Sequence, residues 1–264
     1  MEKLICDGVA LAYEEAGSGA RPLLFVHGWT CDHTYLAPQL DHFRARHRVV
    51  AVDLRGHGQS DRPEQEYTIE GFAEDLAWLC GQLGIEKPVV VGHSMGGTVA
   101  LALAARHPDL PAAIVMIDAS VLPSEERIEA SRELLRALRG PDYREAQRRF
   151  VEERMFLPST DARLKGRILD DMSSAPRHVM ASAWEHIWSF DSASAARACK
   201  VPMLFINAAA PRPELERLRQ LCPRVVTGQT VGAGHFNQLE VPDQVNAMIE
   251  RFLAVLLDPS PSLA

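Results

Sequence analysis

Ser94 is the residue whose surroundings most clearly predict chemistry. It is the centre of Gly92-His93-Ser94-Met95-Gly96, a G-x-S-x-G pentapeptide between an apolar β-branched run (89–91) and an Ala- and Leu-rich stretch (98–106). This pattern predicts a strand, a sharp turn and a helix, with the hydroxyl raised above a sheet edge. The flanking glycines are needed because a Cβ there would collide with neighbouring chain. We therefore predict that Ser94 is a nucleophile; the alternative is a serine that only caps the helix.

Two backbone amides are candidates to stabilise the oxyanion that forms when a nucleophile attacks a carbonyl group. One is the amide of Met95, at the start of the predicted helix, where the helix dipole favours negative charge. The other is the amide of Trp29, in the loop His27-Gly28-Trp29-Thr30 that follows the apolar run 22–26. The alternative is that this loop is only a turn and that Trp29 packs in the core.

These loops require a sheet whose strands end at a common edge. Short apolar runs typical of buried strands alternate with helix-forming segments, after a hairpin signal at Asp7-Gly8. The runs are 22–26, 49–52, 89–91, 113–117, 201–206 and 224–231. The alternation predicts an α/β fold with a mostly parallel central sheet flanked by helices. Catalytic groups are then expected at the carboxyl ends of the strands.

A glycine-rich loop, Asp53-Leu54-Arg55-Gly56-His57-Gly58-Gln59-Ser60, follows the second of these runs. It lacks the lysine of a phosphate-binding loop and the glycine spacing of a dinucleotide fingerprint. We therefore predict a structural loop, held by hydrogen bonds of Asp53, Arg55 and His57.

Three motifs, in this order, resemble the α/β-hydrolase superfamily, in particular its small bacterial esterase, lactonase and cofactor-free perhydrolase branch. They are His27-Gly28-Trp29, Asp53-x-Arg55-Gly56-His57-Gly58-x-Ser60 and Gly92-His93-Ser94-Met95-Gly96-Gly97. The resemblance implies an α/β-hydrolase fold with an inserted helical cap and a serine hydrolase mechanism. It implies no cofactor and no metal.

The resemblance also assigns the general base to His235, in the loop Gly232-Ala233-Gly234-His235-Phe236 after the last strand. There it would accept the proton of Ser94 and later deliver it to the leaving group.

The carboxylate that should orient His235 is missing from its usual place. Most members of the superfamily have an Asp in the turn after the strand that corresponds to 202–206, but here that turn reads Asn207-Ala-Ala-Ala-Pro-Arg212. Asp118 ends the neighbouring strand at the same sheet edge, and we predict that it replaces the missing acid. The alternatives are Asn207 as a neutral partner, or a weakened dyad in which Asp118 binds loop amides.

Between 122 and 199 the sequence has helix-forming stretches and no buried-strand run. We predict a helical cap over 122–199, inserted into a core domain formed by 1–121 and 200–258. In the superfamily such caps cover the active site, so bulky cap residues become candidates for an apolar pocket. The pocket candidates are Trp29, Cys31, Phe156, Met172, Met180, Trp184 and Trp188. The alternative for each is ordinary core packing.

Composition narrows the classes further. The chain of 264 residues has 28 basic and 35 acidic residues, and the net charge of −7 argues against a nucleic-acid partner. No signal peptide or membrane-spanning run is recognisable, so we expect a cytoplasmic protein without a membrane partner. The 5 cysteines are scattered without C-x-x-C spacing, which favours reduced thiols over disulfides or zinc. Monomer and homodimer both remain open.

Together these features predict an enzyme that hydrolyses small-molecule carboxylic esters through an acyl-enzyme, with Ser94, His235 and Asp118 as the triad. A serine nucleophile argues against dehalogenases and epoxide hydrolases, which use a carboxylate in this fold. The same groups could open a lactone, cleave a carbon–carbon bond or make peracids. The last alternative is a ligand-binding protein that has lost turnover.

Overall fold

The computed structural model of the chain describes residues 1–209 and 214–257, and an eight-stranded sheet forms its centre. The strands are β1 (Glu2–Cys6), β2 (Val9–Ala16), β3 (Leu23–Val26), β4 (Val49–Asp53), β5 (Val89–His93), β6 (Ala113–Ile117), β7 (Met203–Asn207) and β8 (Val225–Gln229). Their order is β1-β2-β4-β3-β5-β6-β7-β8. Only the pairs β1–β2 and β2–β4 are antiparallel. The predicted mostly parallel sheet is confirmed.

The antiparallel hairpin at the N-terminus depends on a two-residue turn. Asp7 and Gly8 both have positive φ angles, 49° and 80°, which matches the backbone of a tight hairpin turn. β2 then pairs with β4 and lengthens the parallel sheet on that side.

Helices cover both faces of the sheet. They are α1 (Ala37–Phe43), α2 (Ile69–Leu83), α3 (Met95–Arg106), α4 (Glu125–Leu138), α5 (Tyr143–Arg154), α6 (Ala162–Ser173), α7 (Arg177–Ser189), α8 (Ser192–Ala198), α9 (Glu214–Leu221), α10 (Asn237–Glu240) and α11 (Pro242–Leu257). Alternate side chains of β5 enter opposite apolar layers: Val89 and Val91 pack with residues of α1 and α11, and Val90 packs with residues of α2 and α3. The strands are therefore apolar throughout, as the sequence predicts.

The register of the parallel strands brings their carboxyl ends to one level. Val26 is paired with Gly92, His93 with Ile117, and Ile117 with Ile206. The loops that follow β3, β5, β6 and β7 therefore begin side by side at the same edge, where the sequence predicts the catalytic groups.

Five helices, α4 to α8, lie between β6 and β7 in the chain, and the first four, α4 to α7, are called the inserted helices below. α4 packs against α5 and α7, and α5 packs against α6. α8, which follows them, packs against α3 beside the sheet. Residues 210–212 of the turn after β7, and residue 258 at the predicted end of the core domain, lie outside the described residues.

Candidate active site

Ser94 occupies the sharp turn between β5 and α3. Its φ of 53° and ψ of −118° are a strained conformation for a residue with a side chain, at a cost of about 1–3 kcal/mol. A Cβ added to Gly92 would collide with the carbonyl of Gly96, and one added to Gly96 would collide with the carbonyl of Val26. The predicted need for both glycines is confirmed. The Ser94 side chain makes no capping hydrogen bond to α3, so the capping alternative is wrong.

His235 and Asp118 are in direct contact. The Nδ1 of His235 lies 2.6 Å from Oδ2 of Asp118, a distance typical of a charge-assisted hydrogen bond. The other carboxylate oxygen accepts a hydrogen bond of 3.2 Å from the amide of Ala208. Because Nδ1–H donates this hydrogen bond to the carboxylate, the Nε2 of His235 is the nitrogen left to accept a proton.

The backbone around Asp118 explains how a residue after β6 reaches this histidine. Its φ is 43°, and its amide donates to the carbonyl of Ile206 at 2.8 Å, which fastens the turn to β7. Asn207, the alternative partner, and Glu214, at the start of α9, have different surroundings. The Oδ1 of Asn207 is buried without a partner among the described residues, and Glu214 forms an ion pair with Arg127 at 2.8 Å.

The loop that carries His235 is fixed by hydrogen bonds from three directions. The amide of His235 donates to the carbonyl of Met155 at 3.0 Å, and the amide of Gly234 donates to Glu240 at 2.9 Å. The Nε2–H of His93 donates to the carbonyl of His235 at 2.9 Å. Burial lowers the pKa of His93 to about 3, so this ring stays neutral and joins the loops of the nucleophile and the base.

Residues 27–31, called the Trp29 loop below, lie directly against the elbow. A Cβ on Gly28 would stand 3.1 Å from both Nδ1 of His93 and Cβ of Ser94. The amide of Leu54 donates to Nε2 of His27 at 3.0 Å, so the Nδ1–H of His27 donates to the carbonyl of Gly28, at 2.8 Å. Burial lowers the pKa of His27, which keeps this neutral arrangement. His27 thus ties the Trp29 loop to the loop after β4.

The amides of Trp29 and Met95 are the two predicted oxyanion donors. Within the described part of the chain, neither amide donates a hydrogen bond to another protein group. Met95 is the first residue of α3, where amides have no partner inside the helix. Two unpaired donors from adjacent loops, one of them at a helix N-terminus, can receive an oxyanion beside Ser94.

A cavity of about 1140 Å³ opens over these groups and is lined by Ser94, Asp118 and His235. Among the predicted pocket residues, those lining it are Trp29, Cys31, Phe156, Met172, Trp184 and Trp188. The prediction was wrong for Met180, which is fully buried and does not line the cavity. Its carbonyl instead accepts a hydrogen bond of 2.9 Å from Nε1 of Trp29.

The cavity has an aromatic wall built by the Trp29 loop and the inserted helices. The ring of Trp184 makes tilted contacts with Trp29 and Trp188, at 4.6 Å and 5.4 Å between centroids, and an edge contact with Phe150 at 5.0 Å. Phe150 also lines the cavity, and the sequence analysis missed it. Its spacing with Tyr143 and Ala146, seven and four residues earlier in α5, is the amphipathic signal that could have found it.

The side chain of Arg127, from α4, also lines the cavity, next to Trp188. Its guanidinium lies 5.4 Å from the centre of the Trp188 ring, in addition to its ion pair with Glu214 of α9. The lining of the cavity therefore combines apolar aromatic rings with charged side chains.

Cys31 lines the cavity, but its thiol is buried. Burial raises the pKa of this thiol well above the usual value, which disfavours the thiolate that would act as a nucleophile. The thiol donates to the carbonyl of Trp29 at 3.4 Å. Cys31 and the four other cysteines are free and buried, in agreement with the predicted reduced thiols.

The glycine-rich loop after β4 has the structural role that was predicted. Asp53 accepts hydrogen bonds of 2.8 Å from the amides of His33 and Gln59. His57 bonds the carbonyl of Arg55 at 2.9 Å, while the guanidinium of Arg55 pairs with Asp75.

Residues 1–209 and 214–257 contain neither a metal-binding cluster nor a membrane-spanning helix. No cluster of three or more His, Cys, Asp or Glu side chains there is arranged to hold a metal ion. No helix in the same ranges has the length and apolar character needed to span a membrane.

The model of the alpha/beta hydrolase fold family matches residues 21–242, and the chain belongs to this family. Over 263 residues it is 26% identical to the AB hydrolase superfamily protein YisY of Bacillus subtilis, with 93% of this chain and 96% of that protein covered. Among solved structures, a thermophilic esterase from Thermogutta terrifontis is 28% identical, with 97% and 99% of the chains covered and a TM-score of 0.83. The enol-lactonase from Burkholderia xenovorans is 26% identical, with 96% and 100% covered and a TM-score of 0.86. The protein is a hydrolase of this fold.

Proposed function

We propose that this hydrolase cleaves carboxylic esters of small molecules through an acyl-enzyme, with Ser94 as nucleophile, His235 as general base and acid, and Asp118 as the orienting carboxylate. The observation that carries the proposal is the 2.6 Å contact between Asp118 and His235 in the cavity that Ser94 also lines. A histidine oriented by a buried carboxylate near a strained serine is the arrangement that acyl transfer requires.

The first half of the reaction makes the acyl-enzyme. The Oγ of Ser94 attacks the carbonyl carbon of the ester while Nε2 of His235 takes the hydroxyl proton. The carbonyl π electrons move to oxygen, and the amides of Trp29 and Met95 donate to this oxyanion. The C–O bond to the alcohol then breaks, the carbonyl forms again, and His235 gives its proton to the departing alkoxide.

The second half returns the enzyme to its starting state. His235 takes a proton from water as the water oxygen attacks the acyl carbon. The tetrahedral species breaks its bond to Oγ of Ser94, which regains the proton from His235 as the acid product leaves. Throughout, Asp118 stays ionised and stabilises the imidazolium form of His235.

The aromatic wall supports an apolar substrate. The rings of Trp29, Trp184 and Trp188 offer a large apolar surface to the acyl or alcohol part of an ester. In this proposal the inserted helices act as the cap, with 122–199 over a core of 1–121 and 200–258.

A lactone is the second candidate substrate, because the chain is similar along almost its whole length to an enol-lactonase as well as to an esterase. The chemistry is the same except that the alcohol stays attached to the acyl group. Relative turnover of acyclic esters and lactones by one preparation decides between the two.

The proposal is tested by hydrolysis of p-nitrophenyl esters of increasing acyl length. We expect turnover by the wild-type protein and a loss of at least about 10⁴-fold in kcat for Ser94→Ala, because the remaining groups cannot form the acyl-enzyme. The melting temperature of the variant should not fall, since the strained Ser94 side chain makes no helix-capping bond.

Other outcomes would assign other functions. Turnover of lactones alone would favour the second candidate, and turnover only with a carbon–carbon substrate or with peroxide would favour the remaining enzymatic alternatives. An inert wild-type protein that binds a ligand equally well as Ser94→Ala would contradict the enzyme proposal and favour a binding protein.

A further inference from the structure

Helix α5 of the inserted helices contains a buried glutamine with incomplete hydrogen bonding. Gln147 has no exposed surface, and its Nε2 donates to Oγ1 of Thr30 at 3.4 Å. Its Oε1 has no partner among the described residues. A buried amide with one long hydrogen bond and one unpaired oxygen destabilises the folded state, because burial of an unpaired polar atom costs free energy. Its contact with Thr30 therefore suggests another use.

Thr30 is a residue whose backbone must be held in place. Its φ is 55°, in the left-handed region that β-branched residues avoid, and it is the residue directly after Trp29. Such a strained conformation persists only when neighbouring groups fix it. Among the described residues, Gln147 makes the only hydrogen bond to the side chain of Thr30.

The Trp29 loop is thus held from both sides. On the sheet side, His27 bonds the carbonyl of Gly28 at 2.8 Å. On the other side, the inserted helices provide the Gln147 amide, the Met180 carbonyl that accepts from the Trp29 indole, and the ring of Trp184 against Trp29. The position of the Trp29 amide consequently depends on where the inserted helices lie.

The same helix also reaches the loop of the base. Met155 follows the last residue of α5, and its carbonyl accepts the amide of His235 at 3.0 Å. One rigid element therefore connects the loop that offers an oxyanion donor with the loop that carries the general base.

We propose that Gln147 is a positioning residue, which holds Thr30 and thereby aims the Trp29 amide at the oxyanion while α5 braces the His235 loop. This inference rests on the proposed function, because it needs an oxyanion to form beside Ser94. It assigns to the inserted helices a part in transition-state stabilisation in addition to shaping the pocket.

The test compares Gln147→Leu with a matched control, Ser182→Ala. Ser182 of α7 also bonds a residue outside the inserted helices, accepting the amide of Tyr67 at 2.9 Å, and its side chain makes no hydrogen bond to the Trp29 loop among the described residues. With p-nitrophenyl esters we expect kcat of Gln147→Leu to fall about 10- to 100-fold with KM within about twofold, because a donor displaced by a fraction of an ångström fails only in the transition state. Ser182→Ala should keep its kcat within about twofold.

Stability separates positioning from a structural role. Since Gln147→Leu removes an unpaired buried oxygen, we expect its melting temperature to be no lower than that of Ser182→Ala. Inhibition by an alkylboronic acid, which bonds Oγ of Ser94 and places an oxygen in the oxyanion site, should weaken by the same factor as kcat/KM.

Variants of Thr30 provide a second route if Gln147→Leu does not fold. Thr30→Val should lose activity as Gln147→Leu does, Thr30→Ser should retain it through its hydroxyl, and the double variant Gln147→Leu/Thr30→Val should be no worse than either single variant. Equal kcat values for Gln147→Leu and Ser182→Ala, or additive losses in the double variant, would overturn the inference and leave the proposed function intact. Failure of the proposed function shows separately, as unchanged turnover in Ser94→Ala.

Discussion

In the proposed mechanism, Asp118 has the orienting role because of its position in space and not because of its place in the sequence. β6 and β7 are adjacent and parallel, and Ile117 is paired with Ile206. Residue 118 therefore enters its loop level with residue 207, one strand closer to Ser94. A carboxylate there reaches the Nδ1 of His235 at 2.6 Å, as the imidazolium requires.

Replacement of this carboxylate by its neutral isostere tests the role of Asp118. Asp118→Asn should lower kcat by about 10³- to 10⁴-fold, because the amide cannot stabilise the imidazolium and favours the wrong tautomer of His235. Steady-state kinetics on a p-nitrophenyl ester measure the loss, with a thermal melt as the folding control. Full activity in the variant would show that Asp118 is not the acid.

The residues predicted from sequence are those that belong to local motifs or end a strand. Ser94, His235 and Asp118 could be placed because the loops they occupy follow recognisable strands. Gln147 could not, since a polar residue in an amphipathic helix has no recognisable partner until the helix is docked. The prediction that Met180 lines the pocket was wrong for the same reason. Its helix was predicted, but the direction of each side chain was not.

At the scale of the element, the glycines of the elbow fix how closely β5, α3 and β3 approach. Gly96 packs against the carbonyl of Val26, a backbone atom that cannot move aside without moving the strand. The close approach also carries the Trp29 loop to Ser94, since that loop begins where β3 ends.

A pair of glycine substitutions tests this packing. Gly96→Ala should destabilise the protein by several kcal/mol or prevent folding, because its Cβ has no room. Gly81→Ala, in the exposed part of α2 with nothing within 4 Å of the added Cβ, should raise stability by about 0.5–1 kcal/mol through helix propensity. Urea unfolding measures both; a harmless Gly96→Ala would contradict the proposed close packing.

The elements themselves were largely predictable, because buried parallel strands read as apolar runs and helices show periodic apolar positions. The stretch 192–198 was the exception: its Ala- and Ser-rich sequence has weak periodicity, and its packing against α3 makes it a helix. The helix boundaries depend on caps such as Thr68, whose side chain accepts the amide of Gly71.

At the scale of the whole molecule, several neutral histidines are buried where the loops meet the sheet. Burial lowers the pKa of both His57 and His93 to about 3, far below the value of 6.5 that applies in the unfolded chain. Between these values the unfolded state binds protons that the folded state does not. Stability is therefore full above about pH 6.5 and falls as the pH drops, by about 1.4 kcal/mol per pH unit for each histidine.

This linkage makes a prediction about acid unfolding. The free energy of unfolding should decrease steeply from pH 6 to pH 4, with His33 opposing the trend because its hydrogen bond to Asp53 raises its pKa. In His57→Asn, which keeps a donor for the carbonyl of Arg55, the slope should fall by about 1.4 kcal/mol per pH unit. Urea unfolding over this pH range measures the change, and an identical slope in both proteins would be inconsistent with a neutral buried His57.

The global arrangement was predicted to the level of a mostly parallel sheet with an insertion after β6. The docking of the insertion was not, because it depends on contacts between residues far apart in sequence, such as Gln147 with Thr30 and Met155 with His235. Those contacts determine the shape of the cavity, so the preferred substrate is the property that the sequence specifies least directly.

The proposed function requires that Ser94 is a nucleophile activated by His235 and Asp118. Its most direct test is reaction with diethyl p-nitrophenyl phosphate followed by mass spectrometry of the intact protein and of its peptides. We predict that one diethylphosphoryl group becomes bonded to Oγ of Ser94 with release of p-nitrophenolate, and that Asp118→Asn slows this reaction as strongly as it slows ester hydrolysis. An unlabelled wild-type protein, or a label on any residue other than Ser94, would contradict the assignment of Ser94 as the nucleophile.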